Sequence, residues 1–182
     1  MIFTIGHSTR TLEELVTLLQ LAEVTLLVDV RSTPRSRTTP QFNGDTLPGS
    51  LAAHGLSYRH LRALGGRRHR RKDAPPSPNT YWRVAAFQSY ADYTQSADFR
   101  AGLDELLTLA QDDVCAIMCA EAVWWRCHRR IVTDYLLAGG TDVAHIMGSG
   151  KSAPAVLTPG ARAMADGTLV YPGVPESESG EP

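Results

Sequence analysis

Short apolar segments alternate along this chain with longer segments of helical periodicity, and this alternation limits the possible folds. "IFTIG" (2–6) and "TLLVDV" (25–30) contain apolar runs with β-branched residues, which are typical of strands buried on both faces. Between them, "TLEELVTLLQLAEV" repeats apolar residues at helical spacing, and Thr11 with Glu14 forms a capping-box pattern. A strand, a helix and a strand in quick succession predict a parallel strand pair.

Later segments continue the alternation. Three further strands are predicted, at "LSYRHL" (56–61), "VCAIM" (114–118) and "DVAHIM" (142–147). A helical pattern covers residues 81–111 with a break near Ser96, and another helix is predicted from the segment after "VCAIM" to about Ala138. This order predicts an α/β fold, with a single three-layer domain and a mainly parallel sheet flanked by helices.

The chain length predicts one main domain with a short extension. A chain of 182 residues is long enough to bury one hydrophobic core without disulfides. We predict an α/β domain over residues 1–147 and a loosely structured C-terminal extension over residues 148–182, because the latter segment is rich in glycine, proline and serine. Within the extension, "PGARAMADG" (159–167) is predicted as a small helix.

Composition favours a soluble globular protein. Hydrophobic residues make up 43% of the chain and charged residues 20%, and no apolar run approaches the roughly 20 residues of a membrane span. The N-terminus "MIFTIGHSTR" does not have the pattern of a secretory signal. Cys115, Cys119 and Cys127 are an odd number in one short segment, which argues against a disulfide framework and favours a reducing compartment. We therefore expect a cytoplasmic protein without a membrane partner.

Polar residues follow three of the predicted strands at the point where each strand ends. His7 and Ser8 follow the first strand, Asp29 and Arg31 close the second, and Cys119 and Glu121 follow the fourth. In open α/β sheets ligands bind beyond the carboxyl ends of the strands. The sequence therefore predicts that these groups share one edge of the sheet.

Several of these residues belong to segments that together resemble a known family. The segments "TIGHS", "DVRSTPRS", "LSYRHLRALGG", "FQSYADY", "MCAE" with "CHRR", and "AHI" resemble, in this order, the bacterial and archaeal family catalogued as domain of unknown function 488. The resemblance runs from Ile5 to about Ile146 and implies an α/β domain without a defined biochemical role. The motif residues that it implies are His7, Ser8, Asp29, Arg31, Pro34, Ser36, Cys119, Glu121, Cys127, His128 and Arg129.

Cys119 is a candidate nucleophile because it ends a strand just before a predicted helix. A helix N-terminus and nearby cations favour the thiolate form of cysteine. Structural packing is the alternative, and it is the expected role of Cys115. Cys127, His128 and Arg129 are predicted to lie one turn into the helix, where successive residues point about 100° apart, so that at most two of them could face one ligand.

Asp29 and the arginines near it offer two interpretations. Asp29 either belongs to the catalytic group or pairs with a nearby arginine as a structural element. An arginine with backbone amides would hold a phosphate or carboxylate, and Arg31, Arg35 and Arg37 surround such a place. A zinc site is not predicted, because Cys119, Cys127 and His128 have suitable ligand chemistry but lack close pairs such as CxxC.

The leading hypothesis is an enzyme-like pocket that acts on an anionic substrate, either a nucleotide or a nucleic acid. The predicted catalytic residues are His7, Asp29, Cys119, Glu121 and His128, and the predicted anion-binding residues are Ser8, Arg31, Ser36 and Arg129. One alternative is a noncatalytic nucleic-acid-binding module, which would use the "GGRRHRRK" loop with Tyr81 and Trp82 as a stacking surface. Another is a redox-sensing or metal-binding domain. The sequence leaves the cofactor, the substrate and the oligomeric state open.

Overall fold

The main structural unit is a six-stranded sheet with helices on both faces. A computed structural model describes residues 1–70, 73–148 and 150–173. The strands of the main sheet are β1 (Ile2–Gly6), β2 (Leu26–Asp29), β3 (Ser57–His60), β4 (Cys115–Cys119), β5 (Val143–Ile146) and β6 (Ser152–Pro154). The helices are α1 (Leu12–Leu21), α2 (Leu47–Ala52), α3 (Ala85–Tyr93), α4 (Ala97–Asp112) and α5 (Arg129–Ala138). Short 3₁₀ turns cover Pro40–Phe42, Arg62–Leu64 and Trp124–Arg126.

The strand order confirms the predicted fold class. The order across the sheet is β3-β2-β4-β1-β5-β6, and every pair is parallel except the edge pair of β5 and β6. The carboxyl ends of the parallel strands therefore lie along one edge. Among the helices of the described residues, none is long and apolar enough to cross a bilayer.

Both faces of the sheet are buried at its central strands β1, β2, β4 and β5, as the continuous apolar runs predict. In β2, Leu26 and Val28 pack into the cluster that contains the apolar side chains of α3, α4 and α5. Leu27, which points to the opposite face, packs into the cluster that contains the side chains of α1 and α2. The three layers follow from this alternation of apolar side chains.

Two helix starts lie where side-chain capping predicts them. The Thr11 side chain accepts a hydrogen bond from the Glu14 backbone, and the Glu14 carboxylate accepts one from the Thr11 backbone. Ser96 caps α4 through the Phe99 N–H and separates α4 from α3.

The predicted helix start after β4 is wrong. Residues 120–128 form a loop and a 3₁₀ turn, and α5 begins only at Arg129. The Trp124 ring stacks on the His145 ring of β5 at 4.3 Å between centroids, and this tertiary contact outweighs the helical propensity of the segment. The conformation of the segment between Cys119 and α5 is therefore stabilised by packing against the sheet and not by helical hydrogen bonds.

The predicted helix at residues 159–167 is also wrong. The segment contains β7 (Arg162–Ala163), which pairs with β8 (Leu169–Val170) in a separate two-stranded sheet. Asp166 accepts hydrogen bonds from the backbone and hydroxyl of Thr168, which closes the turn. Tyr171 after β8 is fully buried. The domain boundary after residue 147 stays a prediction, and Arg71, Lys72 and the acidic end "PESESGEP" lie outside the described residues.

Candidate functional site

A cavity of about 590 Å³ lies at the carboxyl ends of β1, β2 and β4. Its wall comes from the loops that follow these strands, together with α3 and the segment before α5. The predicted site residues that line it are His7, Ser8, Arg31, Ser36, Cys119, Glu121 and His128. Asp29 and Arg129 are buried behind this wall.

Backbone hydrogen bonds join the loops after β1 and β4. The His7 N–H donates to the Cys119 carbonyl at 3.0 Å, and the Ser8 N–H donates to the Ala120 carbonyl at 2.9 Å. These bonds continue the parallel pairing beyond the strands. Ser8 has a φ of 48°, a left-handed conformation that costs a non-glycine residue about 1–2 kcal/mol. The backbone of His7 and Ser8 is therefore fixed by hydrogen bonds to Cys119 and Ala120.

His7 is neutral and uses both ring nitrogens within the protein. Its Nδ1 lies 2.9 Å from the Ser8 carbonyl, so this nitrogen carries the proton. Its Nε2 accepts a hydrogen bond from Arg31 at 3.2 Å, since a guanidinium can only donate. Burial lowers the pKa of His7, and the charge of Arg31 adds to this effect. The geometry favours a positioning role for His7, with proton transfer still a prediction.

Asp29 and Arg31 form a buried ion pair. Arg31 Nε lies 2.9 Å from Asp29 Oδ1, and Arg31 also donates to the Phe42 carbonyl at 2.6 Å. Asp29 is completely buried and accepts a further hydrogen bond from the Tyr58 hydroxyl at 2.9 Å. Both oxygens of the Asp29 carboxylate thus accept hydrogen bonds from Arg31 or Tyr58 and are shielded from solvent. This is the structural interpretation of Asp29 that the sequence left open.

Ser36 shapes the loop after β2. Its hydroxyl oxygen accepts hydrogen bonds from the backbone N–H groups of Thr38 and Thr39, both at 3.2 Å. Its own backbone N–H donates to the Asn43 side chain at 2.7 Å. These bonds fold the loop over the cavity. Ser36 contributes to the wall mainly by holding this conformation.

Two cysteines and a histidine meet at the base of the cavity. His128 Nδ1 lies 3.6 Å from Cys127 Sγ and 3.8 Å from Cys119 Sγ, and the three atoms lie within 4.8 Å of one another. Cys127 has an extended backbone with φ of −131°, and the helix starts after His128. Both side chains can therefore face Cys119. The predicted helix over residues 127–128 is wrong, and of the three neighbouring residues Cys127 and His128 face Cys119 while Arg129 contacts Cys127.

The ring of His128 is held in one orientation. Its Nε2 lies 2.9 Å from the Val30 carbonyl after β2, so Nε2 carries a proton and Nδ1 faces the two sulfurs. The opposite side of the ring touches Gly66, where an added Cβ would lie 2.3 Å from Nδ1. Glycine at position 66 is therefore required by this close approach.

Arg129 is a buried cation beside Cys127. It is 1% exposed, and its Nε donates to Cys127 Sγ at 3.3 Å while its NH2 donates to the Glu121 carbonyl at 2.6 Å. No described carboxylate forms an ion pair with it. A buried cation needs an anionic partner, and a Cys127 thiolate would supply one.

The pKa values of Cys119 and Cys127 are shifted in opposite directions. Burial raises the pKa of Cys127, but the hydrogen bond from Cys119 and the neighbouring His128 and Arg129 outweigh this and lower the pKa well below its usual value. The hydrogen bond with Cys127, together with burial, raises the pKa of Cys119. Burial also raises the pKa of Cys115, in the middle of β4, to about 11. Cys127 is thus the favoured thiolate, whereas the sequence pointed to Cys119.

Three exposed arginines line the cavity wall: Arg35 was predicted near the anion site, Arg67 belongs to the basic loop of the alternative hypothesis, and Arg126 was not predicted. Arg35, Arg67 and Arg126 line the cavity, and none of them forms an ion pair with a described carboxylate. Glu121 is the only acidic side chain in the wall among the described residues. These arginines lie in irregular segments, where no periodicity indicates the direction of a side chain. The wall carries a positive charge surplus.

Of the two aromatic side chains predicted to form a stacking surface next to the basic loop, Tyr81 is partly exposed and Trp82 is buried. Trp82 is 7% exposed and packs in the core against Phe87 and Tyr171. Arg70 forms an ion pair with Asp92 at 3.2 Å. Trp82 is therefore not available to stack on a base, and the nucleic-acid-binding alternative stays a prediction.

His145 in β5 makes stability depend on pH. It is 2% exposed, its Nδ1 is bonded to the Thr4 hydroxyl, and its Nε2 has no hydrogen-bond partner within the described residues. Burial, with a contribution from the Arg129 charge, lowers the pKa of His145 from 6.5 to about 4. Between pH 6.5 and about 4, His145 is therefore protonated in the unfolded chain and neutral in the folded protein.

We expect the free energy of unfolding to fall by about 2 kcal/mol from this group as the pH drops from 7 to 5, a loss that is absent above the unfolded pKa near 6.5. Urea denaturation at several pH values measures it, with His145→Gln as the comparison. A His145→Gln variant that loses stability as steeply as the wild type in this range would contradict the assignment.

The fold and the cavity define an α/β protein with a polar cavity at the carboxyl ends of a parallel sheet and a Cys–Cys–His cluster at the cavity base. A family model described as "Domain of unknown function DUF488" matches residues 11–136, and the chain belongs to this family. The match contains Cys119, Cys127 and His128 but begins after His7 and Ser8. No curated protein and no solved structure matches the chain.

Proposed function

We propose that the cavity is an enzyme-like site that binds an anionic substrate, namely a nucleotide or the end of a nucleic acid. The observation that carries this proposal is the set of three arginines beside the Cys–Cys–His cluster that form no ion pair with a carboxylate of the described residues. Arginine binds phosphate through paired N–H groups, and a wall with surplus positive charge attracts anions.

The part of the wall that α3 contributes is suited to an uncharged portion of such a substrate. Phe87 and Ala86 from α3 line the cavity, and the Phe87 ring is partly exposed. Aromatic side chains can stack on a nucleobase. The cavity volume of about 590 Å³ lies in the range of small-molecule sites. A nucleotide therefore agrees in charge, aromatic character and size.

The remaining polar groups supply candidate chemistry. Glu121 is exposed in the wall and can accept or donate a proton to a bound substrate. Cys119, Cys127 and His128 face the cavity base as nucleophiles or polar ligands. A reducing compartment such as the cytoplasm is part of the proposal, because these thiols must stay reduced.

A matched pair of arginine variants tests the anion site. Arg35 lines the cavity and Arg37, two residues later in the same loop, does not. We expect Arg35→Ala combined with Arg126→Ala to weaken anion binding about tenfold, which corresponds to about 1.4 kcal/mol, while Arg37→Ala has little effect. Isothermal titration with inorganic phosphate, nucleoside monophosphates and diphosphates, and a short single-stranded oligonucleotide measures the change.

The same titrations separate the alternatives. Binding of the oligonucleotide alone, with a strong salt dependence and no effect of the Arg35 and Arg126 substitutions, would favour a nucleic-acid-binding surface outside the cavity. Failure of all these anions to bind the wild-type protein would contradict the proposed site.

A further inference from the structure

We infer that Cys119, Cys127 and His128 bind a zinc ion whose fourth coordination position faces the cavity. Zinc prefers cysteine sulfur and histidine nitrogen, and a set of three protein ligands with one open position is typical of reactive zinc sites. Among the described residues, these three form the one group of potential ligands whose donor atoms converge in this way. The inference rests on the proposed function only for the role of the metal, and not for its binding.

The distances between the donor atoms agree with a tetrahedral ion. Zinc–sulfur bonds of about 2.3 Å and zinc–nitrogen bonds of about 2.0–2.1 Å give sulfur–nitrogen edges of about 3.6 Å and a sulfur–sulfur edge of about 3.8 Å. The observed distances from His128 Nδ1 to the sulfurs of Cys127 and Cys119 are 3.6 and 3.8 Å. The two sulfurs lie within 4.8 Å of each other. Only a small movement of the sulfurs would complete the coordination.

The groups around the cluster favour the protonation states in which Cys127 and His128 can bind a metal. The Val30 carbonyl holds the proton of His128 on Nε2, which leaves the lone pair of Nδ1 directed at the two sulfurs. Metal-binding histidines usually donate their other N–H to such an acceptor. Arg129 Nε donates to Cys127 Sγ and stabilises the thiolate form that zinc requires.

The charges of the zinc ion, the two thiolates and Arg129 favour an anion at the fourth coordination position. Two thiolates and one divalent ion sum to zero, which leaves the charge of buried Arg129 to be matched. A hydroxide or an anionic substrate oxygen at the fourth position would match it. His7 does not fill this position, because both of its nitrogens already have partners in Ser8 and Arg31. Since Cys119, Cys127 and His128 all line the cavity, a bound anion can reach the metal.

Metal content of the whole protein tests the inference. Protein purified under reducing conditions from zinc-supplemented medium, without chelators, should contain about one zinc per chain by mass spectrometry of the element. Cys119→Ala, Cys127→Ala and His128→Ala should each lower this content to a small fraction. Cys115→Ala is the matched control and should keep it, because Cys115 lies inside β4 and outside the cluster.

Cobalt binding to the wild-type protein tests the inference without variants, which could fail to fold. Cobalt added to the chelator-treated protein should give the absorption of a tetrahedral ion with thiolate ligands, and added zinc should abolish it. Cys119 and Cys127 should resist iodoacetamide with zinc bound and react after its removal. Folded, reduced protein that binds neither zinc nor cobalt overturns the inference, as does zinc retained by the Cys119→Ala variant. Anion binding through Arg35 is measured separately, so its persistence in a metal-free protein would leave the proposed function standing.

Discussion

Replacement of Asp29 with alanine is expected to lower the free energy of unfolding by about 3–5 kcal/mol, because the change leaves a buried guanidinium without its counterion. Arg31 is 6% exposed and its partner Asp29 is completely buried. The substitution also removes the acceptor of the Tyr58 hydroxyl. Urea denaturation followed by circular dichroism measures the loss.

An exposed ion pair in the same protein provides the control. Arg59 and Glu105 have side-chain exposures of 57% and 40%, and Arg59→Ala should cost less than about 1 kcal/mol. The double variant Asp29→Ala/Arg31→Met should recover part of the stability that Asp29→Ala loses, because no unpaired charge remains. Equal costs for Asp29→Ala and Arg59→Ala would show that the Asp29–Arg31 pair is not buried as described.

Replacement of Gly6 with alanine should destabilise the protein by about 3 kcal/mol or more and should disturb the cysteine cluster. A Cβ at this position would lie 1.9 Å from the Glu121 carbonyl oxygen and 3.0 Å from Arg129 NH2. The obstacle is backbone, which cannot rotate away as a side chain can. Displacement of the Glu121 carbonyl would also break its hydrogen bond with Arg129.

Gly49 in α2 provides the matched substitution, since a Cβ there meets nothing within 4 Å. Gly49→Ala should stabilise the protein by up to about 1 kcal/mol, because alanine is the better helix former. Thermal unfolding of both variants, together with the iodoacetamide reactivity of Cys127, measures the two effects. A Gly6→Ala variant with wild-type stability and reactivity would contradict the close approach of β1 to the Glu121 loop.

Local patterns were sufficient to predict the parallel sheet and the position of the cavity. The apolar runs in β1, β2 and β4 lie in the centre of the sheet, where both faces are buried, and their carboxyl ends therefore coincide. β6 was missed because three residues that include a proline carry too little pattern, and β7 and β8 have two residues each. Short edge elements depend on tertiary contacts and not on local periodicity.

The details of the cluster could not be predicted for a related reason. A helix between Cys119 and α5 would place successive side chains about 100° apart, so the sequence allowed at most two of residues 127–129 to face one ligand and did not identify the pair Cys127 and His128. Their convergence depends on the extended backbone of Cys127, and this depends on packing against β5 and on the burial of Arg129. Arg129 was predicted as an anion ligand, a role that stays a prediction, and it is buried with hydrogen bonds to Cys127 Sγ and the Glu121 carbonyl.

The hydrogen bond from His128 to the Val30 carbonyl has a consequence for any attempt to reduce this protein to a smaller unit. The cysteines and His128 lie close together in the sequence, so a peptide that spans "CAEAVWWRCHR" would contain every sulfur and nitrogen of the cluster. It would lack the acceptor that selects the ring tautomer, because Val30 is 98 residues away. Chemical properties measured on such a fragment would therefore describe ordinary thiols. Only a system that contains both Val30 and the segment from Cys119 to Arg129 would keep this hydrogen bond.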